Sequence, residues 1–149
     1  MTIKDRLLDD MKTALRQGDK ITLGAIRLLR ARIVELEKDK RRPLTDEEVQ
    51  EAGFAAVKRH REAVELFKRG NRQDLVDKEE SEMAVIQRYL PRPMSEEELR
   101  SVVAESIRET SAAQPADLGR VMGVLMPKIK GRADGKLASQ FVRESLGSS

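Results

Sequence analysis

The sequence predicts an all-α protein, and three observations carry that prediction. Every long segment repeats its apolar residues at helical spacing, and no stretch alternates as a strand would. Charged residues make up 37% of the chain with both signs interspersed, as on solvated helix faces laced with ion pairs. Two stretches, Thr45-Asp46-Glu47-Glu48 and Ser95-Glu96-Glu97-Glu98, have the spacing of capping boxes, in which a hydroxyl and a carboxylate satisfy the first free N–H groups of a helix.

The elements follow in order. Ile3, Leu7, Met11 and Leu15 mark the apolar stripe of a first helix, stopped by Gly18, with Asp19 as the next cap. Ile26, Leu29, Ile33 and Leu36 mark the second, which runs into the basic loop Lys38-Asp39-Lys40-Arg41-Arg42 before Pro43. After Thr45 a third helix carries Gly53, Val57, His60, Val64 and Phe67 on one seam and stops near Gly70-Asn71. The fourth presents Leu75, Met83, Ile86 and Leu90.

Pro91-Arg92-Pro93 removes two backbone donors and disfavours helix in the residues before it. The expected division falls there: an N-terminal helical subdomain over residues 1–92, of about four helices, and a small three-helix subdomain over residues 94–149. The latter opens with a helix carrying Leu99, Val102, Val103 and Ile107, and a polar loop from Ser111 to Pro115 follows. Asp117 is expected to cap a helix with Leu118, Val121, Met122 and Leu125, which Pro127 should kink or end. Asp134 caps the last helix, with Leu137, Phe141 and Val142 inward, and Gly147-Ser148-Ser149 should fray.

Composition narrows the function. A chain of 149 residues can bury a real core, and with only 3% aromatic residues that core is aliphatic. The absence of cysteine excludes disulfides, thiolate zinc sites and thiol catalysis, and suits a reducing cytosol. The first residues lack the apolar run of a secretory signal, and no segment approaches the ~18 apolar residues of a membrane span. A cytoplasmic protein is the expectation. The net charge of +3 is unevenly spread: residues 117–149 hold six Lys/Arg against three acids, and residues 27–42 hold seven against three. Both are mildly basic zones.

The stretch Lys130-Gly131-Arg132-Ala133-Asp134-Gly135-Lys136 sets cations and glycines at the start of the last helix, where N–H groups and the helix dipole favour an anion. It is not a nucleotide-binding P-loop. Three residues rather than four separate its glycines, Leu137 replaces the Ser or Thr after the lysine, and no strand precedes it. Two compatible readings remain: a turn with glycine at positive φ and Asp134 as cap, and a phosphate or RNA contact. Gly119 and Gly123, spaced i, i+4, read as close helix–helix packing, the alternative being close approach of a nucleic-acid backbone.

Other polar groups read as structural. His60, the sole histidine, sits on an apolar seam among Lys58, Arg59 and Arg61, as a core-edge residue or phosphate contact rather than a general base. Asp77, Glu79, Glu80 and Glu82 read as a solvated face, able to pair with residues 58–61 in an antiparallel hairpin, rather than as metal ligands. The loop at 38–42 reads as solvated charge at a helix C-terminus, or as a second phosphate contact. Aromatic residues do not interleave with these cations, so a bound RNA would be recognised by shape and backbone rather than by base stacking. No catalytic residue, metal ligand or cofactor site is assigned.

The stretch from Asp117-Leu118-Gly119-Arg120-Val121-Met122-Gly123 through Pro127-Lys128-Ile129-Lys130-Gly131-Arg132-Ala133-Asp134-Gly135-Lys136-Leu137 resembles the signature of YqeY-like proteins. Asp10-Met11-Lys12, Ile26-Arg27-Leu28-Leu29, Leu75-Val76-Asp77-Lys78-Glu79-Glu80 and Tyr89-Leu90-Pro91 extend the match over essentially the whole chain. Such proteins are similar to the C-terminal tail of the B subunit of the glutamine-dependent aspartyl/glutamyl-tRNA amidotransferase. That tail commonly has Lys-Ala-Asn-Pro where this chain has Arg132-Ala133-Asp134-Gly135.

The resemblance implies an all-helical fold and tRNA contact through the C-terminal module. Arg120, Lys128, Lys130, Arg132 and Lys136 would meet phosphates, with Gly131 and Gly135 permitting close approach. An Arg132→Ala/Lys136→Ala chain would then fold normally and lose affinity. A second reading is an adaptor that docks on an amidotransferase or aminoacyl-tRNA synthetase through Gly119, Gly123 and exposed Val or Met residues. The family association also carries the label of a carbon–nitrogen ligase with glutamine as amido-N-donor. It brings no active site here, because the B subunit's kinase-like centre lies outside its tail and the Ser-Ser-Lys amidase centre belongs to another subunit.

Overall fold

Side-chain caps open most of the helices: Thr2, Asp19, Thr45, Ser95 and Asp134 each accept a first-turn N–H. In the computed structural model, which describes residues 1–147, seven α-helices form: α1 Ile3–Gln17, α2 Lys20–Lys40, α3 Asp46–Arg69, α4 Gln73–Gln87, α5 Glu96–Thr110, α6 Leu118–Ile129 and α7 Gly135–Ser145. A single 3-10 turn, Pro115–Asp117, precedes α6, and no strand occurs among the described residues. The fold class is the one the sequence predicts. The fraying expected of Ser148 and Ser149 lies outside the described residues.

The chain separates into two units, Met1–Leu90 and Pro91–Ser149. In the first, Leu7, Ile26, Leu29, Ile33, Val49, Val57, Val85 and Ile86 form an aliphatic core. α3 and α4 fold back on each other through a turn in which Asn71 takes φ 54°. Both halves of the Thr45 capping box are made, and Thr2 with Asp5 forms a further one at α1. At Gly53 a Cβ would stand 2.6 Å from Leu90 Cδ2, so the glycine admits Leu90, which lies beyond the end of α4 rather than on it.

Several expected faces shift for one geometric reason. A stripe at strict four-residue spacing drifts by about 40° per step on a helix of 100° per residue. By Leu15 the drift from Ile3 is about 120°. Leu15 is accordingly 60% exposed, and Ala14 takes the core position instead. In α7 the inward face is Ala138, Phe141 and Val142, while Leu137 is 38% exposed.

The acidic run also divides. Asp77 and Glu80 are solvated, but Glu79 and Glu82 turn inward, and Glu79 Oε2 lies 2.6 Å from His60 Nδ1. The expected pairing with α3 is therefore made, while the solvated face holds only half of the run. The basic loop is shorter than read: Lys38, Asp39 and Lys40 remain helical, and Arg41 caps α2 at φ 58°. Arg42 at 2.7 Å, the Thr45 N–H at 3.0 Å and Lys40 at 3.0 Å all converge on Glu48 and hold its carboxyl well below the usual carboxylate range.

Tyr89 gives this unit an optical reporter. Its ring is buried under Arg6, whose guanidinium sits 5.1 Å from the ring centroid, and its hydroxyl donates to Asp10 Oδ2. Burial, then the Asp10 carboxylate, pushes the phenol above its usual value. A raised pKa in the folded state means stability that is complete below the unfolded value, near 10, and is lost as pH rises beyond it. Tyr89 is the sole tyrosine. Phenolate absorbance is therefore expected to rise only as the chain unfolds in alkali, and a Tyr89→Phe chain should lose that step in its Tm–pH profile. A simple titration near pH 10 in the folded protein would contradict this.

Candidate nucleic-acid interface

The second unit packs α5, α6 and α7 around Leu99, Val103, Val121, Leu125, Ile129, Ala138, Phe141 and Val142. Ser95 caps α5 by accepting the N–H of Glu98 at 3.1 Å, but the expected box stays half-made. The Glu98 carboxylate turns instead to Arg92 at 3.1 Å and Arg132 at 3.4 Å. Asp117 likewise departs from expectation. Its carboxylate reaches backward to the N–H groups of Ala113 and Gln114, which lower its pKa, and does not cap α6. Pro127 does not end α6, which runs on to Ile129. The carbonyl of Gly123, deprived of its donor, lies on the exposed side where water can serve it.

The joint between α6 and α7 is built from backbone first. Arg132 N–H donates to Ile129 O at 2.8 Å, and Ala133 N–H donates to the same carbonyl at 3.1 Å. Gly131 adopts φ 75°, as the turn reading requires; Gly135 does not take positive φ. Asp134 caps α7 through the N–H of Lys136 at 3.0 Å. That carboxylate therefore occupies the helix start where an anion would otherwise sit. A Cβ on Gly135 would stand 3.3 Å from Met126 Cε, so this position admits the side chain of α6 across the start of α7.

The structure sorts the seven candidate RNA-binding residues. Arg132 ties the joint to the segment before α5: its Nε donates to Arg92 O at 2.9 Å, its guanidinium pairs with Glu98, and its carbonyl accepts from Met94 N–H at 2.8 Å. Lys128 bridges to α5 through Glu109 at 2.8 Å and Glu105 at 3.5 Å, and the hydrogen bond it donates to Glu109 raises its pKa. Arg120 pairs locally with Asp117 at 3.2 Å. Lys130, at the end of α6, is exposed. Lys136 is exposed and makes no ion pair among the described residues. Gly131 supplies the left-handed turn and Gly135 the close approach of Met126.

Sequence reasoning passed over Arg143. It stands seven residues after Lys136, about 20° from it around the helix, so the two share a face of α7. Arg143 is exposed and without an ion pair among the described residues. The i, i+7 spacing was the available signal. By contrast Arg100 stacks 3.9 Å above the Phe141 ring and pairs with Glu96 and Glu144, which makes it part of the α5–α7 packing. No aromatic side chain is exposed among the described residues: Tyr89 and Phe141 are buried, and Phe54 and Phe67 are half-buried.

Gly119 and Gly123 do not serve helix packing. Nothing lies within 4 Å of a Cβ built on either, and both are exposed. With Met126, 42% exposed, and Lys130 they share one outward face of α6. Because neither needs positive φ, a Gly119→Ala/Gly123→Ala chain is expected to gain roughly 0.5–1 kcal/mol per site from helix propensity. Thermal melting checks this, and a lowered Tm would show a hidden contact at that face.

The sequence is similar to those of known proteins. The profile of the Yqey-like protein family matches residues 4–146. Altered inheritance of mitochondria protein 41, mitochondrial, of Pyrenophora tritici-repentis is 31% identical over 146 residues, covering 95% of this chain and 80% of that protein. The E subunit of the glutamyl-tRNA(Gln) amidotransferase of Thermococcus gammatolerans is 30% identical over 107 residues, which is 69% of this chain but 17% of that protein. An uncharacterised protein of Schizosaccharomyces pombe is 30% identical over 89 residues, 60% of this chain and 69% of that protein. With one family profile spanning both helical units and the α6–α7 joint, the chain belongs to the YqeY-like protein family.

Proposed function

We propose that this protein is a tRNA-binding accessory protein of tRNA-dependent amidation, without a catalytic centre of its own, and that it works in the cytoplasm. The observation that carries the proposal is the 30% identity to an amidotransferase component whose name gives a tRNA substrate. Charge supports it: the segment 94–149, taken as the RNA-contacting module, offers exposed Arg120, Lys130, Lys136 and Arg143. Lys128 and Arg132 support the module rather than the ligand, because carboxylates of α5 already hold them. The lack of exposed aromatic residues among those described favours a structured RNA met at its backbone.

The test is tRNA binding measured across a salt series. With three or four phosphate contacts, log K should fall against log[salt] with a slope of roughly −2 to −4. Absence of binding at low salt, or a slope near zero, defeats the proposal. A second reading, docking on an amidotransferase or aminoacyl-tRNA synthetase, is favoured by the exposed Met126 and Leu137. Salt-insensitive capture of such a protein without RNA would select it.

A further inference from the structure

We infer that the cleft bounded by α2, α3 and α4 is a site for a divalent first-row transition-metal ion, ligated by His60, Glu79 and Glu82. A ring nitrogen of His60 and one carboxylate oxygen from each glutamate all lie within 4.8 Å of one another. The three come from two helices: His60 from α3, and Glu79 and Glu82 at i, i+3 on α4, which places them on one side. They line a cleft of ≈ 390 Å³ floored by Leu29, Ala56 and Ile86.

Glu82 is the most deeply set of the three converging ligands. It is 5% exposed and its partner among the described residues is Lys78, while none of its oxygens is both fully buried and unserved. A buried carboxylate is costly unless it is both paired and hydrogen-bonded. Lys78 Nζ stands 3.9 Å away, beyond hydrogen-bond distance, on a side chain that is 58% exposed. Arg59 is the other cation lining the cleft, and it too is exposed. Solvent screens both, so neither substitutes for a charge seated among the three ligands.

The metal class follows from the donor set. Bonds of about 2.0–2.2 Å place ligand atoms roughly 3–3.5 Å apart. The His60–Glu79 contact of 2.6 Å would open slightly as the ion takes the place of the shared proton, and Glu82 would close in. One imidazole with two carboxylates suits Zn²⁺, Mn²⁺ or Fe²⁺ rather than Ca²⁺ or Mg²⁺, whose shells are built of oxygen. The remaining coordination positions would face the open cleft. Two carboxylates and a neutral imidazole balance a dication without residual charge.

The test uses the untagged full chain and its single histidine. The His60 imidazole lines in proton NMR are expected to shift on addition of Zn²⁺ and to broaden with Mn²⁺, saturating at one ion per chain. A Glu82→Gln chain should bind Zn²⁺ at least about tenfold more weakly by calorimetry. His60 lines unmoved by saturating excess of both ions would overturn the assignment. So would an isotherm unchanged in folded Glu82→Gln, which would place the ion on surface carboxylates. If that variant does not fold, the wild-type His60 lines decide the matter alone.

Discussion

An Arg132→Ala chain is expected to melt roughly 5–10 °C below wild type, the shift that about 1–2 kcal/mol produces in a unit of this size. The loss has identified parts. The Nε hydrogen bond to Arg92 O at 2.9 Å disappears, as does the pairing with Glu98, and the Arg92 carbonyl is left to solvent. With Arg132 34% and Glu98 40% exposed, the ion pair adds no more than a surface pair does, and the Nε hydrogen bond carries most of the loss. Arg132→Lys should recover little, because an ammonium cannot span a carbonyl and a carboxylate together. Glu98→Gln should cost less than Arg132→Ala and be less than additive with it, since the two share one contact. A wild-type Tm in Arg132→Ala would return this residue to the set of freely available RNA contacts. Its expected instability also replaces the sequence-based expectation that an Arg132→Ala/Lys136→Ala chain folds normally.

The fold was legible because helices advertise themselves locally. Periodicity, Thr45 with Glu48, Asp19 and Asp134 are all statements about neighbours within one turn, and each is realised. What sequence concealed is tertiary. Glu98 forsakes its own cap for an arginine 34 residues away, and Lys128 finds an acid 19 residues back; neither pairing leaves a trace in spacing. Gly119 and Gly123 misled for a related reason. Glycine in a helix signals that something about the face matters, but not whether the neighbour is protein or open solvent. The acidic run failed as a unit because only every third or fourth residue of a helix shares a face. Glu79 and Glu82 therefore had to part from Asp77 and Glu80.

A Lys136→Glu/Arg143→Glu chain is expected to fold like wild type and to bind tRNA roughly 10–60-fold more weakly at about 0.1 M salt. Folding should be spared because neither side chain makes an ion pair among the described residues and both are exposed. Helix-dipole effects nearly cancel, since the new acid is favourable in the first turn of α7 and unfavourable in the last. The affinity estimate comes from counterion release. Each phosphate contact contributes a slope of about −0.7 to −0.9, which at 0.1 M is worth up to about eightfold relative to 1 M. Removing two such contacts should also flatten the salt dependence by roughly 1.4–1.8. Slope and affinity must move together: a weaker complex with an unchanged slope would mean that the substitutions disturbed shape, not phosphate contacts. Unchanged affinity would clear α7 of contact with the RNA and leave the exposed face of α6, with Gly119, Gly123, Met126 and Lys130, as the surface to test next.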